Sequence, residues 1–458
     1  MKRIFTLVLT LAFITPSLII AQDEGRNQIE IFDGVVFYDG YRMNDNPDKD
    51  LKDGVLRHSC SLYATKLSEE QLDALGEKLD INVTVQACCD NYDRIGNINV
   101  ALVEKGAEGY VPEETPRIEI GRFITPFMDM NKEPNQVPYA YEMNYLSPIL
   151  RDKDLREKYD LWLELEIFGI PYAANEQIKG CAGRNDVFQG FLQFSTTEPA
   201  GESEGNILVP IVIKKPEYIG NNLNNYNENA TDEIGKTVKT YTFEVPEDVK
   251  ASNIVLITSN HGANKNGEEY NRRWHFVYFD DELVLSYRPG RETCEPFRKY
   301  NTQSNGIYGT SKKSDAVWQS FSNWCPGDVI DNRIISLGEI TRGEHKVRIE
   351  VPLAEFADHQ GDIPVSMYFH GSRDENGQDG IFSIYDDEEI PVTISTSNGV
   401  VNIYTTEKVW EVEVYSISGE RIWSQGDIDP IDLKGRSGIH IVCIELNNGK
   451  VYSSKIIL

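Results

Sequence analysis

The sequence has little of what metal-based and nucleophile-based chemistry requires. Its seven histidines, His58, His261, His275, His345, His359, His370 and His440, are scattered and fall in neither an HxH nor an HExxH spacing. His261 and His275 stand fairly near each other, but copper would need a closer His/Met set. The seven cysteines, Cys60, Cys88, Cys89, Cys181, Cys294, Cys325 and Cys443, contain no CxxC pair, which argues against a structural zinc site. There is no GxSxG nucleophile elbow. Positive charge is also short. With 45 Lys and Arg against 73 Asp and Glu the formal net charge is −28, whereas a phosphate-backbone ligand calls for a basic surface. That charge suits a soluble exported chain, and a solvated acidic surface accounts for most of the carboxylates. Past the N-terminus no run is long and apolar enough to span a bilayer. Helical periodicity is scarce, and no internal repeat is visible.

What is present begins with an export signal. Met1-Lys2-Arg3 is a short basic start, "IFTLVLTLAFITPSLII" is the apolar run, and polar sequence follows Ala21 at once. Residues 1–21 are therefore expected to be a signal peptide, with no cysteine after them for lipid attachment. Export permits disulfides. Six cysteines between 60 and 325 form an even set, and Cys443 stands apart.

Short runs rich in Val, Ile, Tyr, Phe and Thr, broken by Gly, Asn, Asp and Pro, dominate the rest. "NINVALVEKG", "NILVPIVIKK", "KTYTFEV", "HKVRIEVP" and "VSMYFHG" are examples. The expectation is an all-β protein of sandwich or jelly-roll type. Two short helical stretches stand out, 67–79 with Ser68 as cap, and 151–160. The polar connector "STTEPAGESEGN" (195–206) and the acidic break "YDDEEIPV" (385–392) divide the chain. The resulting parts are 22–204, 205–387 and 390–458, the first two each long enough for a sandwich core.

Three stretches carry candidate chemistry. "CCDNYDRIGNINV" (88–100) puts Asp90 and Asp93 in a turn ahead of a strand. "RIEIGRFITPF" (117–127) is a compact apolar run with one arginine inside it, bracketed by Gly121 and Pro126. In "WLELEIF" (162–168), strand alternation puts Leu161, Leu163, Leu165 and Ile167 on a core face, and Trp162, Glu164, Glu166 and Phe168 on the other. Carboxylates flanked by aromatics suit the wall of a sugar site.

Taken together, "CDNYDRIGNINV" and the unbroken "EIGRFITP" resemble the N-terminal domain of the peptide-N-glycosidase F family, amidases that release whole N-glycans from asparagine. "SNHGANKNGEEYNRRWHFVYFDDELV" (259–284) and "NWCPGDVIDNRI" (323–334) extend the likeness, which spans roughly residues 27–387. It implies two eight-stranded antiparallel jelly rolls side by side, with the site at their interface and a Cys294–Cys325 bridge. The remaining four cysteines of the even set allow three connectivities. By the same resemblance Asp93 is the essential acid/base, Glu269 is next, and Glu166 holds sugar or water, with Glu164 as its alternative. Tyr92, Arg94, Ile124, His261 and Trp324 are the substrate-binding candidates. No cofactor and no metal are expected. Departures from the family pattern are Gly267 and Asn271 where it carries a cysteine pair, Phe321 for an arginine, Phe168 for a tryptophan and Tyr92 for a tryptophan.

The last segment, in "VYSISGERI" and "SGIHIVCIELNNGKVYSSKIIL", resembles the C-terminal sorting domain of Bacteroidetes type IX secretion substrates, a small β-domain. The expected partners are N-linked glycoproteins or glycopeptides and, through this tail, secretion machinery. Nucleic acid and a membrane span are not expected, and nothing demands more than a monomer. The implied place is outside the cell or on its outer surface. Two other readings use the same residues: a non-catalytic glycan-binding surface protein, and an endoglycosidase, which also works with two carboxylates.

Overall fold

The computed structural model describes residues 26–42, 51–214, 234–262, 268–303, 306–320, 323–356, 361–373, 392–397, 399–417, 419–447 and 449–458. The expected signal peptide, most of the acidic break at 385–392, Gly267 and Phe321 lie outside the described residues.

The first sandwich is built from β1 (Asn27–Tyr38), β2 (Val55–Arg57), β3 (Leu62–Lys66), β4 (Leu79–Ala87), β5 (Ile95–Glu104), β6 (Arg117–Ile124), β7 (Gln136–Glu142), β8 (Tyr159–Ile167) and β9 (Asp186–Thr196). One sheet runs β1-β9-β4-β7. Along β4, residues Leu79, Ile81, Val83, Val85 and Ala87 are buried, and the intervening polar residues are only half-buried. This is the alternation of a strand with one face on the core. The two predicted helical stretches form as short helices. Ser68 caps Glu69–Asp73 in a reciprocal capping box with Gln71, and Asp152 caps Lys153–Lys158.

The second sandwich contains β10 (Asn206–Val212), β11 (Val238–Val245), β12 (Ala251–Thr258), β13 (His275–Phe279), β14 (Glu282–Tyr287), β15 (Val329–Ile330), β16 (Arg333–Ser336), β17 (Gly343–Glu350) and β18 (Val365–Ser372). Its sheets run β10-β18-β12-β16 and β11-β17-β13-β14. Strand β15 leaves this sandwich and pairs with β6 of the first, so the sheet there reads β15-β6-β5-β8-β3-β2. "EIGRFITP" and "NWCPGDVI" are thus hydrogen-bonded neighbours, Phe123 opposite Val329 and Arg122 opposite Ile330.

That shared sheet is covered on both faces. Leu161, Leu163, Leu165 and Ile167 of β8 enter the core of the first sandwich, as alternation predicts. Trp162, Glu164, Glu166 and Phe168 on the other face are buried as well. Their carboxylates therefore need partners, and they have them. Glu164 accepts from Arg117 (2.8 Å), Asn99 (2.8 Å) and Tyr110 (2.6 Å), and Glu166 accepts from Lys214 at 3.3 Å.

The C-terminal strands form sheets β19-β20-β23 and β22-β21-β24-β25 from β19 (Val392–Ser397), β20 (Val400–Thr405), β21 (Val409–Ser416), β22 (Arg421–Gln425), β23 (Ile431–Asp432), β24 (Ile439–Leu446) and β25 (Val451–Ile457). This unit is packed on the second sandwich. Trp274, Phe276 and Tyr278 are buried with Tyr415, Ile441 and Cys443. Arg288 adds ion pairs to Glu411 (2.7 Å) and Glu445 (2.8 Å).

Two disulfides are present among the described residues, Cys294–Cys325 as the resemblance implies, and Cys89–Cys181. Among the described residues Cys60 and Cys88 are in no disulfide, so the even set of six holds two bridges where three were expected.

Candidate active site

Strand β5 begins at Ile95, and the turn before it is tied down from three sides. The buried Asp90 carboxylate accepts from Tyr92 N (2.9 Å), Arg94 Nε (2.7 Å) and Ile170 N (2.8 Å). Thr125 closes the other side: its hydroxyl accepts from Arg94 N at 2.8 Å and donates to the Tyr92 carbonyl at 3.2 Å. The Cys89–Cys181 bridge anchors the entry to the turn. Asp90 therefore shapes the turn, and Arg94 is the cation that pairs with it. Among the described residues no side-chain cation pairs with Asp93 in the same way.

Across the seam, Asn323 fixes the short 3-10 turn Glu268–Tyr270. Its Nδ2 donates to the carbonyls of Glu268 (2.8 Å), Glu269 (2.5 Å) and Asn271 (3.1 Å). The two glutamates then diverge. Glu268 is buried and receives Arg273 twice, at 3.1 Å each. Glu269 accepts from the Gly262 backbone N–H at 3.2 Å.

Asp93 and Glu269 meet at one cavity of about 290 Å³, lined by Asp93, Arg94, Ile95, Ile124, His261, Gly262, Glu269, Trp324, Gly361 and Asp362. Six of the eight predicted site residues are on that list. Beneath it, Ile95, Ile124, Ile257, Trp324 and Ile330 form an apolar floor drawn from both sandwiches. Trp324 is held by Nε1 donating to the Asn260 carbonyl at 2.8 Å, and its ring lies 5.6 Å from that of His261. Tyr92 stands outside the lining, 38% exposed, against Phe127 and beneath the Arg94 guanidinium. Glu166 does not line the cavity, nor does its alternative Glu164: Glu166 is drawn to Lys214 in the seam, and Glu164 to Arg117 within the first sandwich.

The electrostatics separate these groups. Burial first, and then the charge of Glu269, push the Asp93 carboxyl up to about 7, against a smaller opposing pull from Arg94. Burial also raises Glu269, partly offset by the Tyr270 hydroxyl and the Gly262 N–H. His261 is driven down to about 3, by burial first and then by the cations Arg122 and Lys214, so it is neutral at physiological pH. A carboxyl held at about 7 and a second raised above its ordinary value, beside an apolar floor and an indole, can pass a proton to and from a bound amide. Among the described residues no three His, Cys, Asp or Glu side chains converge as a metal site.

Sequence reasoning did not assign Asp90, Lys214, Ser259, Asn323 or Asp362. Asp90 lies inside the quoted turn motif, where its position two residues before Tyr92 fits an Asx-type bond to the backbone. The others act through tertiary contacts and carry no local signal.

The family described as Peptide-N-glycosidase F, N terminal, matches residues 28–181, and that described as Peptide-N-glycosidase F, C terminal, matches residues 225–370. The chain belongs to the peptide-N-glycosidase F family. Both matched spans contribute to the cavity, Asp93 from the N-terminal and Glu269 from the C-terminal one. Among solved structures, that of PNGF-II is similar at 17% identity and TM-score 0.55, over 76% of this chain and 65% of that chain. The present chain thus spans slightly less than two thirds of the length of PNGF-II. PNGase F, a glycosylasparaginase from Flavobacterium meningosepticum, is similar at 14% identity and TM-score 0.49, over 76% of this chain and 96% of that one. At these identities the structural likeness bears on the fold alone. No curated protein sequence matches.

Proposed function

We propose that this chain is an exported amidase that hydrolyses the bond between asparagine and the innermost GlcNAc of N-glycans. The observation that carries the reading is the pairing of Asp93 and Glu269, one from each sandwich, on one cavity with both carboxyls raised. An amide is a poor electrophile with a poor leaving group, so its hydrolysis needs a base for water and an acid for nitrogen. Asp93, near half-ionised at neutral pH, can serve as both in turn. As carboxylate it takes a proton from water while the water oxygen bonds to the amide carbon. As acid it returns that proton to the nitrogen as the carbon–nitrogen bond breaks. Asparagine leaves as aspartate and the glycan as its glycosylamine. Glu269 holds the water and raises the proton affinity of Asp93 through its charge.

Trp324 and Ile124 offer apolar surface for a sugar face, and Tyr92 extends it at the rim. For Glu166 the proposal is a supporting role: it balances Lys214, whose charge helps keep His261 neutral. No resident metal takes part in this scheme, and activity should survive EDTA. The C-terminal sheets are proposed as the segment read by the secretion machinery.

The test is incubation with an N-glycopeptide and mass spectrometry of both products. Intact glycan plus a peptide with Asp at the former glycosylation site supports the amidase. A peptide keeping one GlcNAc means endoglycosidase. An untouched glycopeptide, over a panel of glycans, leaves glycan binding without catalysis.

A further inference from the structure

The seam behind the cavity contains a hydrogen-bonded chain that crosses from one sandwich to the other. Arg122 of β6 is fully buried and directs its N–H groups to fixed acceptors. Nε and Nη2 hold Glu119 (2.7 and 2.8 Å), and Nη1 donates to the Pro364 carbonyl (2.9 Å) and to Ser259 Oγ (2.8 Å). Ser259 Oγ in turn lies 2.8 Å from His261 Nε2. The direction of this last bond decides the state of the histidine.

An arginine only donates, so Ser259 accepts from Arg122. If His261 Nε2 carried a proton, Ser259 would accept a second time, and its own hydroxyl proton would have no acceptor among the described residues. Ser259 is 2% exposed, and an orphaned donor there costs about 1–3 kcal/mol. If Ser259 donates to Nε2, both groups are satisfied. The imidazole proton then sits on Nδ1, the nitrogen left for the cavity that the ring lines.

We propose that Arg122 and Ser259 are positioning residues that fix His261 as a neutral Nδ1–H imidazole, presenting one hydrogen-bond donor to a carbonyl or hydroxyl oxygen of the substrate. This rests on reading the cavity as the glycopeptide site. His261 is then neither base nor nucleophile. Its tautomer is set from the far sandwich, which makes correct docking of the two halves a condition for recognition.

The experiment is nitrogen NMR of the full-length protein labelled at histidine, with His261→Gln identifying the resonances. The expected wild-type pattern is a protonated Nδ1 and a bare, hydrogen-bonded Nε2. Ser259→Ala should abolish that pattern and Ser259→Thr restore it. In glycopeptide assays Ser259→Ala should raise KM on the order of tenfold with little change in kcat, one lost hydrogen bond's worth, and Ser259→Thr should recover it. A wild-type proton on Nε2, or a tautomer indifferent to Ser259→Ala, overturns the proposal. The NMR readout needs no turnover, so a protein that cleaves no glycopeptide would defeat the amidase reading and leave the tautomer result to stand or fall by itself.

Discussion

The two ends of the seam between the sandwiches treat their carboxylates in opposite ways. In its interior, Glu119 and Glu166 are each matched by a cation, Arg122 and Lys214. At its mouth, Asp93 and Glu269 share a cavity and are raised by burial and, for Asp93, by its neighbour's charge. The interior pairs its charges where the two sandwiches meet, whereas at the mouth the pull of Arg94 on Asp93 is outweighed by burial and by Glu269, and that is where proton transfer can occur. Counting acids on a strand cannot separate these cases, since β8 carries three, Asp160, Glu164 and Glu166, and none of them lines the cavity.

The strongest way to break this comparison is at the mouth. Asp93→Asn should lower kcat/KM by about 10³-fold or more, measured by release from a glycopeptide, with circular dichroism unchanged. It should also not cost stability above neutral pH. A carboxyl raised from 3.8 to about 7 favours the folded state fully below its unfolded value, and that contribution is lost as pH rises through about 7. The melting temperature at pH 8 should thus equal or exceed wild type. A large drop at pH 8 would mean that Asp93 is a structural ion-pair member like those of the interior.

The interior predicts the reverse balance. Arg122→Met leaves Glu119 buried and unpaired, a loss of about 3–5 kcal/mol by denaturant unfolding. The double variant Glu119→Gln/Arg122→Met should recover part of it, since no charge is then stranded. A single variant as stable as wild type would show that the seam is not held by this pair.

Glu269→Gln sharpens the contrast within the mouth. Activity should fall on the order of 10–100-fold. Because the lost charge helps raise Asp93, the ascending limb of kcat/KM, expected near pH 7 in wild type, should move to lower pH. An unmoved limb would mean that the two carboxyls do not sense each other.

Much of this arrangement is legible in the sequence. The strand alternation of "WLELEIF" places its leucines correctly, Ser68 marks a real helix start, and the turn before β5 does project an acid into the cavity. What alternation cannot supply is what covers the opposite face. Glu164 and Glu166 share the polar side of a strand; the first sandwich's own Tyr110 and Arg117 cover Glu164, and Lys214, just past β10, covers Glu166 from the second sandwich. The same holds for Ser259 and Asp362, which matter through partners distant in sequence. The cysteines show the limit from another side. Adjacent Cys88 and Cys89 are equivalent in sequence, but only Cys89 is bonded to Cys181.

Tyr92 marks the outer limit of the mouth and should give the smallest effect. Its ring is exposed, lies tilted against Phe127 and carries the Arg94 guanidinium 5.4 Å from its centroid, so it contributes little to folding. Tyr92→Ala should leave the melting temperature within a degree or two, as expected for a surface change of about 0.5 kcal/mol or less. The turn itself stays, because Asp90 and Thr125 hold its backbone and not its ring. If a sugar stacks there, KM for the glycopeptide should rise by roughly three- to tenfold, the range for one exposed aromatic contact, with kcat and the pH limb unchanged. A fall in kcat instead would place Tyr92 among the groups that tune Asp93, extending the mouth one residue further out than the cavity walls.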